Sequence, residues 1–129
     1  MKRLAIFACV MIVGAGAAIA ATVSIPFFND GGQDAFITVQ NVSTSDVTIT
    51  VSYFQGASGT GVSTAVLAAN TSLSWQPFKD VGGGEVQGTI ADATAATGSV
   101  TINSTGAVVG RFVQINGTAA FAHNVEITP

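Results

Sequence analysis

Apolar and polar residues alternate one-for-one along most of this chain, the period of a β-strand with one buried face. Val23, Ile25 and Phe27 alternate with Thr22, Ser24 and Pro26. Proline cannot donate to a ladder, so this strand is expected at a sheet edge or ending there. Asn29-Asp30-Gly31-Gly32 then reads as a turn. Ala35, Ile37 and Val39 continue the rhythm, as do Val47, Ile49, Val51 and Tyr53. The polar stretch from Asn41 to Ser45 lies between these two runs and predicts a hairpin from Ala35 to Phe54, with Val39 opposite Ile49. Its inner face is apolar, and Thr38, Gln40, Thr48, Thr50 and Ser52 form a wet outer face.

Further strands are expected over Val62 to Leu67, around Leu73 and Trp75, over Ser99 to Ile102 and over Ala107 to Ile115. Turns fall at Gly56 to Gly61, Ala68-Ala69-Asn70 and Asn103 to Gly106. Asn116-Gly117 is a strong hairpin signal. The last strand, Thr118 to Ile127, places Ala119, Phe121, His123, Val125 and Ile127 on one face. Residues 79–98 are the least regular, with Gly82-Gly83-Gly84, a short strand from Glu85 to Ile90, and a helical turn or loop from Asp92 to Gly98. Seven or eight strands at regular spacing predict an all-β protein. The expected form is a single antiparallel β-sandwich of immunoglobulin-like or related Greek-key topology.

The start of the chain departs from this rhythm. Lys2 and Arg3 precede an unbroken apolar run of seventeen residues, Leu4 to Ala20, that closes on Ala18-Ile19-Ala20. A cationic start, an apolar middle and an A-x-A exit are the parts of a secretory signal peptide. The run is shorter than the roughly 20 residues that span a bilayer comfortably. Cleavage after Ala20 is therefore expected, leaving residues 21–129 as one domain. A retained anchor is the alternative. The expected location is secreted, periplasmic or at the cell surface, without stable membrane insertion after cleavage.

Composition narrows the chemistry. The full chain carries four basic and seven acidic residues and a formal charge of −3. Without Lys2 and Arg3 the charge becomes −5, with Lys79 and Arg111 the remaining cations. Such a chain cannot neutralise a run of phosphates, so no nucleic-acid partner is expected. The single cysteine, Cys9, lies in the leader. The exported part thus has no disulfide and no thiol chemistry, and no cofactor is implied.

Candidate sites are few. The lone histidine, His123, has no Gly-x-Ser-x-Gly elbow to work with, and zinc needs more His or Cys ligands. Its expected role is a hydrogen-bonded, partly buried imidazole. Asn29, Asp30 and Asp34 share a glycine-containing loop and could hold calcium, although the spacing lacks an EF-hand's alternation; the alternative is a solvated Asx turn. Asp80 and Glu85 flank the triple glycine with the same weak possibility. Four sequons, at Asn41, Asn70, Asn103 and Asn116, fall at expected turns. Arg111 sits within an apolar strand and needs a partner such as Glu126 or Asp92, or an exit to solvent. Phe36 and Phe54 fall on the threonine-rich face, where they would meet a sugar ring or another subunit. Trp75 is expected in the core, with a ligand platform as its alternative. Val23, Ile25 and Phe27 form a terminal strand able to add to a neighbour's sheet edge.

The segments Ile37-Thr38-Val39-Gln40-Asn41, Val47 to Tyr53 and Gly98-Ser99-Val100-Thr101-Ile102 resemble short β-sandwich modules of bacterial exported and cell-surface proteins. That resemblance implies a structural or adhesive role and carries no catalytic residue. The sequence thus favours a non-enzymatic exported protein whose partner is itself, another surface protein or a glycan.

Overall fold

The computed structural model describes residues 20–79 and 90–125, with the backbone alone at His123, Ile127 and Thr128. The expected leader, Asp80, the triple glycine and the short strand beginning at Glu85 lie outside the described residues.

Among the described residues, nine strands form two antiparallel sheets. They are β1 (Ala21–Asn29), β2 (Asp34–Asn41), β3 (Val47–Gln55), β4 (Ser58–Leu67), β5 (Ser72–Trp75), β6 (Thr97–Ser104), β7 (Val108–Asn116), β8 (Ala119–Val125) and β9 (Ile127–Thr128). One sheet has the order β4-β3-β6-β1-β9 and the other β5-β2-β7-β8. The pairs β3·β4, β2·β5 and β1·β6 nest inside one another, as in a two-stranded ribbon rolled over itself. The added pairs β3·β6 and β2·β7 close the two sheets. This nesting is the Greek-key arrangement of a rolled ribbon, or jelly roll. In immunoglobulin domains the first strand instead lies beside the second.

The expected hairpin from Ala35 to Phe54 does not form. β2 and β3 lie in opposite sheets, and Ile49 is paired with Ala65 and Ser104, while Val39 is paired with Leu73 and Gly110. Asn41 holds the crossover. Its Nδ2 donates to the carbonyls of Ser45, Leu67 and Ala68 at 2.8, 3.0 and 3.1 Å. Its Oδ1 accepts from the Ser43 amide and hydroxyl at 2.8 and 2.7 Å. The side chain is fully buried, and these five bonds satisfy it there. The in–out assignment still holds, because strands facing each other across a core bury the same alternate residues as strands side by side.

β1 meets the edge expectation in part. It runs between β6 and β9, but β9 pairs only with Thr22 and Val23, so the stretch with Pro26 has a neighbour on the β6 side alone. Pro26 and Phe27 stand opposite a single residue of β6, since Ile25 pairs with Val100 and Phe28 with Gly98. This bulge accommodates proline's missing N–H and shifts the alternation by one. Phe28 therefore enters the core and Phe27 is 55% exposed. The Phe28 ring meets Tyr53 edge-on, with centroids 6.1 Å apart.

Two tight turns use glycine where the backbone requires it. Gly56 and Gly117 have φ of 60° and 59° and occupy the first central position of their two-residue hairpin loops, the position that favours glycine in type II′ turns. The Asn116-Gly117 signal thus marks a real hairpin, with Asn116 as the last strand residue.

Candidate functional site

Most of the polar residues singled out from sequence are bound into the framework. Asp30 is fully buried. Its Oδ1 accepts from the Ala35 amide at 3.0 Å and from Gln76 Nε2 at 3.2 Å, and its Oδ2 from the Phe78 and Lys79 amides, both at 2.8 Å. Four N–H donors thus tie the β1–β2 turn to the segment after β5. Asn29 Oδ1 accepts from the Gly31 and Gly32 amides, an Asx turn. Asp34 pairs with Lys79 Nζ at 2.9 Å. A cation here would have to displace N–H donors from each of the three, and no cluster of three or more metal-ligating side chains occurs among the described residues.

The aromatic candidates separate. Trp75 is buried, and its Nε1 donates to the Tyr53 hydroxyl at 2.8 Å. Burial pushes the Tyr53 phenol well above the ordinary tyrosine range, and the Trp75 bond offsets this only in part. Val23 and Ile25 are core residues, so the terminal strand is already spent within its own sheet. Phe36, on β2, and Phe54, on β3, face outward on different sheets and are half-buried. They cannot form one sugar platform, a consequence of the crossover at Asn41.

The remaining expectations also resolve. Asn41, a sequon residue, is buried at the end of β2, Asn103 lies in β6 and Asn116 ends β7, so three of the four sequon asparagines are in strands and only Asn70 is in a turn. Residues 92–96 are a loop, and Thr97 already begins β6. Asp92 sits beside Gly61 on the five-stranded sheet, whereas Arg111 is exposed on the outer face of the other sheet. The side chains of His123, Ile127 and Glu126 lie outside the described residues.

Two surface features remain. The first is a shallow depression of about 410 Å³ on the outer face of the four-stranded sheet. Cross-strand pairing lines up Ser74, Thr38, Arg111 and Asn124 across that face, and Gln40 and Val109 occupy the next row. Arg111, Gln40 and Asn124 offer a guanidinium fork and two amides, suited to carboxylates and hydroxyls.

The second is the β7–β8 hairpin. Val125 is buried at its base, but Phe121, on the same face, is 65% exposed. The neighbouring inner position on β7 is Gln114. It accepts from the Asn29 amide and donates to Gln33 Oε1. The β1–β2 turn therefore caps the core beyond Phe112, and Phe121 lies outside the cap. Ala119, Ala120 and Ala122 are exposed as well. Periodicity assigns Phe121 to the core face and cannot register where the opposite sheet stops. The sequence signal available was the run Thr118-Ala119-Ala120-Phe121-Ala122, free of charge and proline.

Compared with protein-family models, with curated proteins and with solved structures, the chain matches none.

Proposed function

We propose that this chain is an exported, non-enzymatic structural or interaction protein of the cell surface, envelope or extracellular matrix, acting through its outer surface and an open sheet edge. One observation carries this reading. Among the described residues, the buried carboxylate and the buried asparagine, tyrosine and tryptophan are engaged as staples, while large apolar side chains remain exposed on strand surfaces. Asp30, Asn41 and the Trp75–Tyr53 pair are the staples. Phe121, Phe27, Val62 and Val66 are the exposed apolar residues. Exposed apolar groups of this kind mark contact surfaces more often than reaction sites. The signal-like leader agrees with it, since β1 begins at Ala21, directly after the expected cut.

The test is to express the full chain, fractionate the cells and sequence the mature N-terminus. The expected product begins at Ala21 and is accessible to protease added to intact cells. An uncleaved chain confined to the cytosol overturns the reading.

The depression at Arg111 favours a second reading, a glycan-binding module. Its recognition would rest on Thr38, Gln40, Arg111 and Asn124, with Phe36 one row away, rather than on paired aromatics. Binding on a glycan array that Arg111→Ala abolishes would support it. Binding unchanged by that substitution would remove it.

A further inference from the structure

The sandwich is bordered by four strands: β4 and β9 on one sheet, β5 and β8 on the other. A border strand presents unpaired N–H and C=O groups, which folded proteins blunt with short length, proline, bulges, charge or a covering loop. Three of the borders here are blunted. β5 has four residues and β9 two. Beyond β9, the stretch of β1 left without a neighbour contains Pro26 and is bent by its bulge against β6. β4 carries its own bulge at Thr60, since Tyr53 pairs with Gly61 and Phe54 with Gly59. Thr94 donates to the Thr60 carbonyl through its amide and its hydroxyl, and the Ala91 amide donates to Ser63 Oγ.

Among the described residues, β8 has none of these devices. It runs seven residues without proline or a carboxylate. It pairs with β7 from Asn116↔Ala119 to Gly110↔Val125 with no register shift, and Ala119 to Ala122 are exposed.

We infer that β8 is a pairing edge whose partner is β8 of a second copy of this chain, running antiparallel. This rests on the reading above and names its partner. Charge selects the occupant: two copies of an acidic chain repel wherever carboxylates meet, and Ala119–Val125 contains none of the seven acidic residues. The strand is also centred on Ala122. Full antiparallel overlap therefore sets Ala122 against its own counterpart, Phe121 against the partner's His123, and Ala119 against the partner's Val125. The four-stranded sheets then join into one continuous sheet of eight strands. The contact is isologous, so it closes on itself and stops at a dimer.

Sedimentation velocity on protein recovered from full-chain expression tests this. Wild type is expected at twice the monomer mass, with the monomer appearing on dilution. Ala122→Lys and Ala122→Glu each set like charges against each other at the two-fold axis. Each is expected to lose the dimer while keeping the β-sheet circular-dichroism spectrum, because Ala122 is exposed. An equimolar mixture of the two is expected to restore it. Val62→Lys, on the face of β4, is expected to leave the dimer intact. A wild-type monomer at every concentration, or single variants as dimeric as wild type, overturns the inference. So does a mixture that stays monomeric, or dissociation by Val62→Lys. A surface-exposed protein that is monomeric retains the functional reading and loses this one; a cytosolic dimer does the reverse.

Discussion

Two neighbouring regions of the molecule treat polar and apolar atoms in opposite ways. Around Asp30, Tyr53 and Trp75, polar groups are buried and all but one of their bonds join segments far apart in sequence. Along the β7–β8 hairpin, apolar groups are exposed and, among the described residues, nothing protects the outer backbone edge. Burying a carboxylate is unfavourable unless its oxygens are filled, and Asp30 meets that condition with four N–H donors. The loops at that end are thereby fixed. Leaving Phe121 and a bare strand edge in water has no comparable compensation within the fold. The contrast assigns stability to the first region; the proposed contact would fall to the second.

Substitutions can break this contrast. The largest expected effect is at Phe28, where truncation to alanine leaves a cavity beside Tyr53 and lowers unfolding free energy by about 3–5 kcal/mol in denaturant titration. Phe27→Ala, one residue away but outside the core, is expected to change it by less than about 1 kcal/mol. Equal losses at the two positions would contradict the bulge. Asp30→Ala leaves four donors without their acceptor and is expected to cost about 3 kcal/mol, measured the same way.

Tyr53→Phe removes the acceptor for Trp75 Nε1 and is expected to cost about 1–2 kcal/mol. It also changes the response to alkali. The folded phenol holds its proton more tightly than the unfolded one, which ionises near about pH 10. The stability this supplies is complete below that pH. It declines as pH rises further, because the unfolded chain releases a proton that the folded chain keeps, until the folded phenol itself ionises. Thermal melts of wild type should therefore fall more steeply above about pH 10 than melts of Tyr53→Phe. Tyr53 is the only tyrosine, so phenolate absorbance should appear with unfolding rather than before it. The smallest effect is expected at Phe121→Ala, within about 0.5 kcal/mol of wild type at dilutions where the chain is monomeric. A loss of several kcal/mol there would place Phe121 in the core and end the contrast.

Alternation identified the core with few errors. Ala35, Ile37, Val39, Val47, Ile49, Val51, Tyr53, Trp75, Val100 and Ile102 are all buried. The errors fall where a local feature breaks the period or where the opposite sheet ends. At Phe27 a bulge shifted the alternation, and Pro26 was its only signal in the sequence. At Phe121 the alternation continued but the covering layer did not. The partner of each strand was not legible, because a strand buries the same residues whether its neighbour lies beside it or across the core. Asn41 read as part of a polar turn; five bonds make it the anchor of a crossover.

Of the proposed sites, the Arg111 row was invisible for the same reason. Thr38, Arg111 and Asn124 are far apart in the chain and meet only through pairing. The sequence by itself determined an all-β chain, most of its strands and inner faces and the Asn116-Gly117 hairpin, because those depend on side-chain period and local backbone freedom; the Gly56 turn is tighter than the expected Gly56 to Gly61, since β4 begins at Ser58. Tertiary structure alone decided which strands pair, which borders are guarded and that, among the described residues, nothing covers β8. Those depend on contacts between segments distant in the chain, and a one-dimensional pattern does not contain them.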